Sequence, residues 1–179
     1  MNAIELIQKY YVPGTDVYDI LTVHSLRVAE KALALARKHP ELELDLTFVE
    51  EAALLHDIGI RYCLAPSIDC HGEHPYVCHG YLGADLLRRE GLPKHALVAE
   101  RHTGTGLKHD YIVENGLPLP LDRLYEPQSL EEQLICYADK FFSKTHPDQE
   151  KPVEKVEASL AKWGDASVEQ FLKWKNLFD

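Results

Sequence analysis

Hydrophobic positions recur at three- and four-residue steps along nearly the whole chain, the period of helices rather than strands. Residues 3–11 form a short amphipathic segment closed by Pro13-Gly14. Val17, Leu21, His24, Val28, Ala32 and Leu35 then share one stripe, which predicts a helix capped by Asp16, running to about His39 and stopped by Pro40. Thr47 and Glu50 read as a capping box for the next helix, whose apolar run Ala52–Leu55 leads into His56-Asp57-Ile58-Gly59. Gly59 is expected to turn the chain away. Residues 60–74 lack a period and suit a pocket wall or lid.

Pro75 starts the next predicted helix, which puts His79, Leu82, Gly83 and Leu86 on one face and ends at Gly91. A mid-helix glycine costs stability, so Gly83 predicts a close helix approach. Pro93 opens a short helix reaching His102, and Thr103–Gly106 stops it. Residues 107–127 are mixed, because Pro118, Pro120 and Pro127 prevent a long helix. Ser129 and Glu132 form a second capping box, starting a helix that carries Asp139 on its apolar face beside Ile135 and Phe142. Two helices, about 152–163 and 167–178, finish the chain, with Ser167 expected to cap the second. No strand pattern of length remains. The expected fold is all-α: one domain over residues 1–179, a core of about 16–145, and the C-terminal helices packed on it.

Within this pattern the misplaced residues are polar groups on apolar faces. His24 alone reads as a core histidine bonded to a carbonyl. Asp139 is costlier, since a buried carboxylate needs a partner, either a basic side chain or a metal. His24, His56, Asp57 and Asp139 together supply two imidazoles and two carboxylates, enough for one divalent cation with open positions. His79 and His102, on two further helices, suffice for a second cation if Asp57 bridges. Cys70, His71, His74, Cys78 and His79 offer a weaker alternative, a structural zinc.

Composition narrows the setting. The chain has 179 residues, 45% hydrophobic and 27% charged, as expected for a globular domain. No apolar run approaches the ~20 residues of a membrane span, and the N-terminus lacks signal-peptide regions, so a cytoplasmic location is expected. In that compartment Cys63, Cys70, Cys78 and Cys136 are expected as free thiols. A net charge of −10 argues against duplex nucleic acid as a partner. It leaves room for a small phosphorylated substrate if a metal supplies local positive charge.

The ordered set His24, His56-Asp57 and Asp139, with Ile58-Gly59 completing an HDIG motif, resembles the HD-domain metal-dependent phosphohydrolases. His79 to Gly91, Glu100 to Gly106, Gly116-Leu117-Pro118 and Leu130 to Lys140 resemble a small prokaryotic HDIG subgroup. The resemblance covers roughly residues 20–145. It implies an all-helical fold with a central metal site: His24, His56, Asp57 and Asp139 at one ion, with His79 and His102 at a second, as in dinucleoside tetraphosphate hydrolases of this fold. One metal, with these two histidines meeting substrate, is the alternative. Iron, manganese, zinc, cobalt and nickel suit such ligands, and magnesium is admissible.

Many HDIG members continue with Lys, whereas this chain has Ile60 and Arg61. The His-His-Glu and Gly-Tyr-Pro elements of cyclic dinucleotide phosphodiesterases are absent, which speaks against cyclic di-GMP. Expected catalytic residues are Asp57, Arg61 and Lys140. Expected substrate contacts are Arg61, Arg101, His109, Lys140 and Lys144. The expected activity is hydrolysis of a small phosphoester or phosphoanhydride, with a nucleotide as first choice and a phosphorylated metabolite second. A non-enzymatic metal- or nucleotide-binding sensor is the other class. The aromatic tail, Trp163, Phe171, Trp174 and Phe178, is expected in the core, with a homodimer contact as the alternative.

Overall fold

The long second helix sets the frame. In the computed structural model, which describes residues 2–179, α1 (Ala3–Tyr10) precedes α2 (Asp16–Lys38), and α2 buries Leu21, Val28, Ala32 and Leu35 together with His24. Acidic Asp16 and Asp19 in its first turn, and basic Arg37 and Lys38 in its last, complement the helix dipole. Asp16 is the first helical residue rather than the cap. Thr15 holds the cap position in extended backbone, with its hydroxyl donating to the Val12 carbonyl at 2.8 Å.

The next helix also starts differently. In α3 (Leu46–Leu55) the cap is Asp45, whose carboxylate accepts from the Phe48 amide at 3.0 Å. Thr47 already lies inside the helix, so the Thr47–Glu50 box does not form; an aspartate upstream does the same work. After α3 come a 3-10 turn over Ile58–Tyr62 and a two-residue antiparallel pair, β1 (Leu64–Ala65) with β2 (Cys70–His71).

Four more helices complete the middle: α4 (His79–Arg89), α5 (Pro93–Arg101), α6 (His109–Glu114) and α7 (Leu130–Asp139). The short α6 fits ahead of the prolines of the stretch expected to be mixed. At α7 the Ser129 hydroxyl accepts from the Glu132 amide at 3.1 Å. The return half of that box goes elsewhere: the Glu132 carboxylate accepts from the Gln128 amide at 2.9 Å. The chain ends in α8 (Val153–Leu160) and α9 (Asp165–Phe178). Gly164, at φ 94°, makes the turn into α9. Ser167 therefore lies within the helix, not at its cap, and its hydroxyl meets Thr105 Oγ1 at 2.8 Å.

One apolar core draws residues from Ala3 to Phe178, including Phe171, Trp174 and Phe178 of α9. Within it α2 packs on α3 and α7, while α4 packs on α5 and on the turn after α3. No helix among the described residues is long and apolar enough to cross a membrane.

A tight seam lies where α4 meets that turn. A Cβ on Gly59 would come within 2.1 Å of the His79 carbonyl and 2.4 Å of the Gly83 amide. Gly59 thus serves by leaving space rather than by turning the chain. Gly83 makes the expected close approach, but to this turn. The missing side chains bring His79 against the HDIG segment.

Candidate metal centre

Three helix ends aim three imidazoles. His56 follows the last residue of α3, His79 follows a 3-10 turn (Tyr76–Cys78), and His102 follows the last residue of α5. Each folds its ring back on the carbonyl three residues earlier: Nδ1 lies 2.7 Å from Ala53 O, 2.6 Å from Tyr76 O and 2.7 Å from Ala99 O. A carbonyl only accepts, so each Nδ1 carries the proton. The free carbonyls at helix ends thereby fix the tautomer and leave each Nε2 lone pair pointing outward.

Those lone pairs converge on Asp57. The His24 and His56 Nε2 atoms lie 3.1 and 3.0 Å from Asp57 Oδ2. The His79 and His102 Nε2 atoms lie 3.4 and 3.3 Å from Oδ1. Asp139, at the C-terminal end of α7, brings Oδ1 within 3.0 Å of His24 Nε2 and 3.5 Å of His56 Nε2. Two ligand groups result, His24, His56, Asp57 and Asp139, and Asp57, His79 and His102, each with its atoms within 4.8 Å of one another. Each oxygen of Asp57 thus faces its own histidine pair.

The donor set fits a cation. Both oxygens of Asp57, both ring nitrogens of His24 and Nε2 of His56 are buried without properly oriented hydrogen-bond partners. The His79 and His102 Nε2 atoms are 3.0 Å apart, and with both protons on Nδ1 neither can donate to the other. Converging acceptors of this kind repel unless positive charge lies among them. Burial opposes charge on Asp57, but His56 and Lys144 hold it well below the ordinary carboxylate range. Burial also opposes charge on His56, yet with no cation present Asp57 and Asp139 lift it to about 9, so a bound cation would take the place of the proton on Nε2. Burial, aided by its neighbour His102, lowers His79 to about 3 and keeps it neutral.

Two lysines stand at this centre. Lys144 Nζ lies 2.6 Å from Asp57 Oδ2, and Lys140 Nζ lies 2.8 Å from Asp139 Oδ2 and from the His102 carbonyl. Both line a cavity of about 680 Å³ that opens onto His79, His102 and Asp139.

Three other expected contacts are not brought to this cavity. Arg61 turns outward on the 3-10 turn; its guanidinium contacts the Tyr10 carbonyl and lies among the rings of Tyr10, Tyr11 and Tyr62. Arg101 precedes His102 by one residue and so points about 100° away. It pairs with Glu132 at 2.9 Å. His109 is exposed beside Asp110.

Nor do the cysteines and histidines around residues 70–78 gather. The Cys70 thiol faces the Ile68 carbonyl at 3.7 Å, His71 pairs with Asp69 at 2.8 Å, and the Cys78 thiol faces the Pro118 carbonyl at 3.5 Å. All four cysteines are free and buried. The sequence reading missed Lys151, Lys162 and Trp163 on the cavity wall. It also missed Tyr76, which stacks on His79 with ring centroids 4.6 Å apart. No spacing relates these residues to the motif.

Comparison with known proteins agrees with this architecture. The HD-domain profile matches residues 22–143. An uncharacterised protein of Methanocaldococcus jannaschii is 38% identical over 143 residues, which is 78% of this chain and 76% of that protein. A tRNA (cytidine(56)-2'-O)-methyltransferase of Thermoplasma volcanium is 32% identical over 79% of this chain, but the shared stretch is only 36% of that protein. Among solved structures, the HD domain of the Listeria monocytogenes phosphodiesterase PgpH in complex with cyclic-di-AMP superposes with a TM-score of 0.54. That match covers 97% of this chain and 94% of the other at 17% identity, a likeness of fold. With the profile spanning both the HDIG turn and Asp139, the chain belongs to the HD-domain superfamily of metal-dependent phosphohydrolases.

Proposed function

We propose that this protein hydrolyses a small phosphorylated substrate, a phosphoester or phosphoanhydride, at a centre whose residues would hold two cations, with Asp57 shared between the two groups. The observation that carries this reading is the split of Asp57: one oxygen toward His24 and His56, the other toward His79 and His102. A divalent cation held there supplies Lewis acidity that activates water and offsets phosphoryl charge. Asp139 completes the first position. The ion is iron, manganese, zinc, cobalt, nickel or magnesium, since nitrogen and oxygen ligands suit them all.

The remaining groups work on the substrate. Lys140 and Lys144 are compact charges that contact phosphoryl oxygens and draw the anion down to the buried carboxylates. Burial opposes their charge, but Asp139 beside Lys140 and Asp57 beside Lys144 raise both above the ordinary lysine range, so both stay cationic. Arg61, Arg101 and His109 have no part in this reading, because each lies off the cavity. The cyclic-di-AMP bound by the PgpH domain supports a phosphorylated ligand in general. Methyl transfer gains nothing from the Thermoplasma relative, because the shared stretch is a minor part of that protein.

Metal analysis and hydrolysis of a nucleotide and sugar-phosphate panel test the reading. Asp57→Asn is expected to lose bound metal and to lower the rate by more than about 100-fold, the upper end of what loss of an outer partner costs. Full metal content and full activity in the variant would refute it. Metal and nucleotide binding without turnover under any of the six ions would identify a sensor instead.

A further inference from the structure

Part of the cavity wall is built from residues past the family match. That match ends at residue 143, whereas Lys151, Ser159, Leu160, Lys162 and Trp163 also line the cavity. These residues come from α8, the residue pair before it and the turn after it.

The wall combines a flat ring with unneutralised charge. Trp163 is anchored rather than loose: a Cβ built on Gly104 would sit 3.6 Å from three atoms of its indole. The ring therefore lies over the Gly104 backbone, two residues from His102. Its environment is half apolar, with Leu160, Phe142 and Ile68 on the same cavity. Trp163 is partly exposed on this cavity, and exposed Lys162 places Nζ 5.2 Å from its ring centroid, a cation–π contact.

Lys151 is only partly exposed, and its ammonium has no ion-pair partner among the described residues. Burial draws its pKa down, and Lys140, Lys144 and Lys162 add to this against the opposing pull of Asp139. Four lysines and a single carboxylate, Asp139, line the cavity of a chain whose net charge is −10. Such a local reversal of sign focuses anions.

We infer that Trp163 and Lys151 form a substrate-selecting subsite for a phosphate ester with a flat heterocycle, a mononucleotide rather than a bare sugar phosphate. The inference rests on the phosphohydrolase reading for the position of the phosphoryl group. Trp163 offers the ring a stacking platform in a half-apolar recess. Lys151 contacts the phosphate from the side away from Asp57. A sugar phosphate would leave the indole uncovered and gain only the lysine contacts.

Calorimetric titration of the manganese-loaded protein with two non-hydrolysable probes tests this. The probes are the phosphonate analogues of adenosine 5'-monophosphate and of ribose 5-phosphate. The wild type should bind the adenosine probe about tenfold tighter, within the range found for one base on one aromatic ring. Trp163→Ala should erase that preference and Trp163→Phe should keep most of it, which separates stacking from misfolding. Lys151→Ala should weaken both probes about tenfold and leave the preference intact. Quenching by the adenosine probe should report Trp163, because the other tryptophan, Trp174, is only 2% exposed. No preference in the wild type, or the same preference in Trp163→Ala, overturns the subsite. Metal-dependent hydrolysis without the preference sinks the subsite alone. The preference without hydrolysis sinks the phosphohydrolase reading alone.

Discussion

Glu100 and His102 lie two residues apart at the end of α5, both buried, and each belongs to a polar cluster. Around Glu100 the cluster completes itself. Arg88 Nη2 reaches Glu100 Oε2 at 2.6 Å, and Arg123 Nη1 reaches Glu100 Oε1 at 3.0 Å and Asp85 Oδ1 at 2.8 Å. Carboxylates and guanidiniums alternate, in the fork geometry that arginine favours. Around His102 the cluster stays incomplete: four imidazoles and two carboxylates converge, and Lys144 and Lys140 each meet only one carboxylate oxygen. A buried ionisable residue is common to both. What separates a structural brace from a ligand site is whether every converging acceptor finds a donor within the protein.

The largest way to test that contrast is to break the brace. Replacing both Arg88 and Arg123 with Ala leaves Glu100 buried and unpaired. We expect a loss of about 3–5 kcal/mol in chemical denaturation, with metal stoichiometry in the folded protein unchanged. A loss of metal without a loss of stability would reverse the two roles.

The converse experiment removes the cation. A ligand at a hundred times its dissociation constant stabilises the native state by about 2.7 kcal/mol, or roughly 5–10 °C in Tm for a chain of this size. Chelation should therefore lower the Tm of the wild type by that amount, and Asp57→Asn should show no such shift. The Arg88/Arg123 double variant should still show it.

The smallest effect lies at the surface, where Glu90 pairs with Lys9 at 2.8 Å and with the Tyr10 hydroxyl. Lys9 first, then Tyr10, hold the Glu90 carboxyl below its ordinary 4.5. A depressed carboxylate stabilises above its unfolded pKa and loses that contribution as pH falls through the folded value. Glu90→Gln should thus flatten the acid limb of the stability profile below about pH 4.5. Salt should shrink the difference. An unchanged acid limb would mean the pair contributes nothing measurable.

The all-α architecture was legible because amphipathic faces repeat over long segments. The gathering of the candidate centre was legible because each of its residues breaks such a face. His24 interrupts an apolar stripe, and Asp139 sits beside Ile135 on a buried surface. Caps were read less well. Asp45 and Thr15 displaced Thr47 and Asp16, since several polar residues near a helix start can do the same work. Arg101 misled because the side chain next to a ligand on a helix points about 100° away, and Arg61 because its 3-10 turn carries it to Tyr10, Tyr11 and Tyr62 rather than to the cavity. Lys151 left no trace and Trp163 read as core, yet both line the cavity, because their position depends on how the chain around α8 folds, which no local pattern encodes.

The seam between Gly59 and Gly83 has a consequence for motion. Backbone there touches backbone with no side chain to slide or rotate, so α4 has no slack against the HDIG turn. Any change in the chamber's shape therefore falls to its other lining segments, among them Lys140–Lys144 and α8.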